Sequence, residues 1–96
     1  MYYRVTFIWL SYLDDTSDPL SWDISNVETE ALPEGVGAVS SRFGGSLWLE
    51  RKGPDCIHVS VTLEATSEYD AYGKAQLRHA DLTRMVMAEV KVSSAA

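Results

Sequence analysis

Along residues 2–10, YYRVTFIWL, the side chains Tyr3, Val5, Phe7 and Trp9 alternate with Tyr2, Arg4, Thr6, Ile8 and Leu10. Successive side chains of a strand point to opposite faces, and aromatic and β-branched residues suit a pleated surface. The segment predicts a strand with Tyr3, Val5, Phe7 and Trp9 on the core face. Asp18 and Pro19 then carry a helix-start pattern, an N-cap acid followed by proline at the first helical position. Leu20, Ile24, Val27 and Ala31 recur at helical spacing, which predicts a helix across 19–32 with one apolar stripe. Ser25, Asn26 and Thr29 are weak helix formers within it. Pro33 and Gly35 end that element. Residues 36–51 predict a strand kinked at Gly44 and Gly45, and KGPD at 52–55 predicts a turn. In CIHVSVTLEA, Ile57, Val59, Val61, Leu63 and Ala65 face one way, while Cys56, His58, Ser60, Thr62 and Glu64 face the other.

Ser67, three residues before Asp70, opens the next element with a variant capping box. Ala71, Tyr72, Ala75, His79, Leu82, Met85 and Val86 then trace the stripe of a second helix. Val90 and Val92 predict a short last strand, and residues 93–96 a frayed tail. The resulting order is β-α-β-β-α-β, an α+β, ferredoxin-like arrangement of a four-stranded antiparallel sheet with two helices on one face. The run VSVTLEATSEYDAYGKAQ resembles the strand-to-helix junction of many small ferredoxin-like domains, and that likeness speaks to fold alone. The 96 residues suffice for one domain, expected over 1–92.

Charge changes the picture. The formal net charge is −6, and residues 1–41 hold seven acids with Arg4 as their only base, so they carry all of it. Phosphate is repelled by such a surface, which argues against direct binding to nucleic acid or to acidic membranes. No apolar run approaches the roughly 20 residues of a membrane span. The N-terminus alternates and lacks the basic start and cleavage site of an export signal. Cys56 alone allows no intrachain disulfide, which fits a reducing compartment, and a cytoplasmic location is expected.

The acidic segment supplies the first candidate site. Asp14, Asp15, Asp18, Asp23, Glu28 and Glu30 lie in it with Trp22, which falls off the helical stripe. An exposed Trp among acids has the composition of an interaction patch, although early acids also favour a helix N-terminus. On the sheet face away from the helices, Ile8, Leu10 and Trp48, with His58 beside them, form a patch too apolar to leave in water, so a homodimer, another protein or the chain's own tail or long loop is expected to cover it. Cys56 and His58 share that face as a thiol and base would need, but no third residue orients the imidazole and no oxyanion site is visible. No catalytic residue, metal site or cofactor is assigned, since one Cys and two His without paired spacing fall short of a zinc pattern. His79 reads as a partly buried residue on the second helix, and Asp70, Lys74, Arg78 and Asp81 as an ion-pair ladder.

In size and charge the chain resembles the short acidic orphan proteins of bacteriophages, several of which occlude a host protein and some of which imitate DNA. That resemblance implies an adaptor or inhibitor that binds a basic partner. A small dimeric ferredoxin-like enzyme or ligand binder, with its site near Cys56 and His58, is the alternative.

Overall fold

The computed structural model describes residues 1–12, 19–33, 35 and 47–95. Among these residues four strands, β1 (Tyr2–Ser11), β2 (Trp22–Leu32), β3 (Leu47–Gly53) and β4 (Cys56–Glu64), precede two helices, α1 (Glu68–Gln76) and α2 (His79–Ala95). A single 3-10 turn, Pro19–Ser21, leads into β2. The sheet order is β2-β1-β4-β3, and every neighbouring pair is antiparallel. The α+β class, the antiparallel four-stranded sheet and the number of helices agree with the expectation, although both helices follow Ser67, where the second helix is expected to begin. Among the described residues the layout is β-β-β-β-α-α, so the ferredoxin-like order is not confirmed.

Two elements account for that difference. Residues 22–32 form an edge strand where a helix is expected. The pairing of β1 with β2 runs from Tyr2 opposite Leu32 to Ile8 opposite Asn26, then resumes with Trp9 opposite Ile24, leaving Ser25 as an extra residue. Such a bulge shifts alternation by one. Trp22, Ile24, Val27, Thr29 and Ala31 consequently share the face of Tyr3, Val5, Phe7 and Trp9. Trp22 is only 3% exposed, whereas Leu20, on the expected helical stripe, is 89% exposed. The second difference lies at the other end of the chain, where Val90 belongs to α2 and continues its buried series Leu82, Val86, Val90 at intervals of four. The helix runs on through residues 93–95, expected as a tail.

The central strands form the frame. Backbone bonds extend the β1–β4 pairing past both ends, with Ser11 N–H donating to the Asp55 carbonyl at 2.9 Å and Ala65 N–H to the Met1 carbonyl at 2.9 Å. The turn expected at KGPD joins β3 to β4 through Pro54 and Asp55. On the core face, Val5, Phe7, Ile57, Val59 and Val61 meet Ala71 and Ala75 of α1 and Leu82, Val86 and Val90 of α2. The small alanines let α1 sit close over β1, β2 and β4, while α2 crosses β3, β4 and the 3-10 turn.

Ser67 caps α1, its Oγ accepting from Asp70 N–H at 3.1 Å. The reciprocal bond comes from one residue earlier than in a standard capping box, because Thr66 N–H donates to the Asp70 carboxylate at 3.0 Å. The chain breaks helix at Leu77 and Arg78, whose N–H groups bond back to Lys74 and Ala75 at 3.2 and 2.9 Å, tightening the last turn. This break shifts the helical phase. His79, expected on the apolar stripe, is exposed, and the expected ladder divides into Asp70–Lys74 at 3.4 Å on α1 and Arg78–Asp81 at 3.2 Å at the start of α2.

Candidate functional site

The sheet face opposite the helices is read off the register. Across β2, β1, β4 and β3 it carries rows that begin with Glu30, Arg4 and Thr62, continue with Glu28, Thr6, Ser60 and Trp48, and then Asn26, Ile8, His58 and Glu50. Asp23, Leu10 and Cys56 form the next row. The sheet's own pleat therefore assembles an apolar strip, Ile8 and Leu10, between an acidic edge strand and the polar residues of β4. All of Ile8, Leu10, Trp48 and His58 lie on this face and are partly exposed.

Three of the six expected acids, Asp23, Glu28 and Glu30, are exposed along the open face of β2. Their alignment depends on the bulge, since strict alternation from Glu28 would turn Asp23 toward the helices. Asp14, Asp15 and Asp18 lie outside the described residues. Trp22 does not join the acids: its ring is packed in the core, where the Arg51 guanidinium stands 5.6 Å from its centroid. The expected patch of an exposed Trp among acids is not formed, because the strand that carries Asp23 outward necessarily carries Trp22 inward.

Trp48 takes the aromatic role on this face. Arg4 stacks over its ring at 4.9 Å and reaches Glu30 at 3.8 Å, spanning the sheet from β2 to β3. Beneath them the polar residues of β4 are shielded. Ser60 shares a 2.9 Å hydrogen bond with Thr6, whereas among the described residues Thr62, 2% exposed, has no hydrogen-bond partner for its hydroxyl, and neither has the neighbouring Arg4 Nε. A buried polar group left unpaired costs about 1–3 kcal/mol. Sequence reading missed both; Thr62 on an outward position carried no signal of its burial.

Glu50, opposite His58, accepts a 2.9 Å hydrogen bond from Lys52, and that bond with the Lys52 charge holds its carboxyl below the usual carboxylate range, the nearby His58 adding to the effect. Cys56 and His58 occupy alternate positions of β4, beside Leu10 and Ile8 respectively. Among the described residues no three His, Cys, Asp or Glu side chains are grouped to hold a metal ion, and no helix is long and apolar enough to cross a membrane.

The open face can thus present a partly apolar surface with carboxylates on both edge strands, Asp23, Glu28 and Glu30 on one and Glu50 on the other, with Arg4 engaged by Glu30. No family model, curated protein or solved structure matches the chain.

Proposed function

We propose that this chain is a non-enzymatic interaction module that binds a basic protein surface through its open sheet face, as an adaptor or as an inhibitor that occludes its partner. The observation that carries this reading is the register-fixed row of Asp23, Glu28 and Glu30 beside Ile8 and Leu10. An apolar centre with a charged rim is the anatomy of a protein interface, and the sign of the rim selects a partner rich in Lys or Arg. The net charge of −6 adds long-range attraction for such a partner and repulsion for nucleic acid. Imitation of nucleic acid, one mode of the bacteriophage proteins the chain resembles, would use the same acids. Trp48, stacked against the Arg4 guanidinium, adds an aromatic group to this face.

Self-association through Ile8, Leu10, Trp48 and His58 uses the same face but has the opposite salt dependence. Two copies bring carboxylates together, so added salt strengthens the pair, whereas a complex with a basic protein weakens as charges are screened. The test is affinity capture from lysate of the source cell at low and high salt, followed by titration of the purified partner. The native chain is compared with a variant carrying Asp23→Asn, Glu28→Gln and Glu30→Gln. A second variant changes Asp14, Asp15 and Asp18 to Asn, and a third carries Ile8→Ser. Loss of a basic partner in high salt and in the first and third variants supports the proposal; unchanged binding by the first variant rejects it. Sedimentation of the chain alone at both salt concentrations reports on the dimer.

A further inference from the structure

We infer that the part of the partner held by the acids is an extended segment that adds as a further strand along the outer edge of β2, with Lys or Arg at alternate positions and apolar residues between them. This rests on the basic-partner reading and specifies the conformation and pattern of what binds. Among the described residues β2 pairs with β1 alone and is the outermost strand of the sheet. Along such an edge alternate residues turn their N–H and C=O groups away from the sheet, a template for a strand about 4.8 Å further out. Edges are commonly guarded by Lys, Pro, short length or a bulge. β2 runs for 11 residues without Lys, Arg or Pro, and its bulge at Ser25 leaves 26–32 in regular register with β1. The opposite edge strand, β3, is shorter at 7 residues, carries Arg51 and Lys52, and shifts register between Arg51 and Gly53.

The two faces of 26–32 set the pattern of the occupant. On the open face Glu28 and Glu30 are exposed; Glu30 meets Arg4 at 3.8 Å, and Glu28 has no ion pair among the described residues. Side chains of an added strand that face the same way stand directly beside these acids, where Lys or Arg is favoured and Asp or Glu is repelled. On the helix side, burial declines outward. Tyr3, Val5 and Phe7 of β1 are at most 5% exposed, whereas their β2 neighbours Ala31, Thr29 and Val27 are exposed or half-buried. Apolar side chains at the intervening positions of an added strand extend this face and cover them. A second copy of the chain fits the edge poorly, because antiparallel pairing of β2 with itself about Thr29 sets Glu28 of each copy against Glu30 of the other. The same acids therefore reject self-pairing and admit a basic strand.

The test titrates synthetic heptapeptides with capped ends into the full chain labelled with nitrogen-15. One peptide alternates Lys with Val, and a second holds the same residues in two blocks. Two more keep the alternation but are N-methylated on the backbone of either the Lys or the Val positions, so that each lacks the N–H groups of one edge. The alternating peptide is expected to bind and to slow amide hydrogen exchange within 26–32, and Glu28→Gln with Glu30→Gln is expected to abolish this. One methylated peptide should bind as well as the parent and the other about tenfold or more weakly. Equal binding by the block peptide, or by both methylated peptides, overturns strand addition and leaves the basic-partner reading standing. No binding of the alternating peptide at about 1 mM also overturns it. So does protection of 26–32 that rises with protein concentration without peptide, which would identify a second copy as the occupant. Failure of the basic-partner reading shows separately, as unchanged capture of the natural partner by the Asp23→Asn, Glu28→Gln, Glu30→Gln variant.

Discussion

Replacing Trp22 by alanine separates the edge strand from the helix that the spacing of Leu20, Ile24, Val27 and Ala31 predicts. On that helix Trp22 would lie off the apolar stripe, and its removal would cost less than about 1 kcal/mol. In the sheet it is 3% exposed and belongs to the same core as Phe7, Val59 and Val86. Truncating a core Trp to Ala costs about 3–5 kcal/mol, of which loss of the Arg51 contact at 5.6 Å accounts for about 0.5–1 kcal/mol. A domain of 96 residues has about 5–15 kcal/mol in all, so Trp22→Ala removes a large fraction of it. Urea unfolding followed by far-ultraviolet circular dichroism reads this directly. With a slope of about 1–3 kcal/mol per molar, the midpoint should fall by about 1 M or more. The thermal midpoint should fall by about 12 °C or more, at about 4–8 °C for each kcal/mol. Asp23→Ala, at the adjacent exposed position, should change stability by no more than about 0.5 kcal/mol. A loss below about 1 kcal/mol for Trp22→Ala, or equal losses at the two positions, would refute the bulged register.

Val90→Ala and Val92→Ala test the end of the chain: a strand would give these alternate residues the same environment, whereas in α2 they are 1% and 67% exposed. Denaturant titration should show a cost of about 2 kcal/mol for the first and no more than about 0.5 kcal/mol for the second. Ser67→Ala removes the acceptor of the Asp70 N–H bond and should destabilise by about 1 kcal/mol in the same assay. The Asp70 carboxyl is held below its ordinary range chiefly by the Thr66 backbone N–H, with Lys74 adding to it against the opposing effect of desolvation. Because its folded pKa is lowered, the stabilisation is complete above the ordinary carboxylate value and is lost as pH falls through the folded value. The stability difference between the native chain and Asp70→Asn should therefore shrink on acidification; a difference independent of pH would remove Asp70 from the acid response.

The parts of the fold legible in the sequence are those where periodicity is uninterrupted. Alternation along residues 2–10 and 56–65 identified the two central strands and their buried faces, and the Ser67 and Asp70 pair located the start of α1. Edge strand β2 was misread for a specific reason: its bulge separates the inward residues Ile24 and Val27 by three positions, which imitates one turn of helix. The weak helix formers Ser25, Asn26 and Thr29 were the contrary signal, and Ser25 is the bulge residue itself. At the C-terminal end the β-propensity of Val90 and Val92 competed with the four-residue spacing of Leu82, Val86 and Val90. Packing against the sheet decides such a contest, since intrinsic propensities differ by less than burial of a valine contributes. The break at Leu77 and Arg78 has no glycine or proline to announce it, which is why His79 was misplaced. Of the candidate site, the open-face positions of Ile8, Leu10, Trp48 and His58 followed from alternation alone. The grouping of Asp23 with Glu28 and Glu30 required the register.

The bulge at Ser25 also explains how one short strand can serve two surfaces. A regular strand alternates without interruption, so placing Glu28 and Glu30 outward would place Trp22 and Ile24 outward as well, exposing an indole and burying Asp23 against the helices. One extra residue resolves that conflict: below it Val27, Thr29 and Ala31 face the core, above it Trp22 and Ile24 do, and the acids remain on the open side throughout. Asp23 then continues the acidic row of β2 and also lines a groove that Trp9 and Trp22 border. Bulges disrupt ladder pairing and are concentrated where a side chain has to be re-aimed. The cost of the interrupted ladder is small beside the burial of Trp22, so folding alone can retain it, and the placement of Asp23 comes with it.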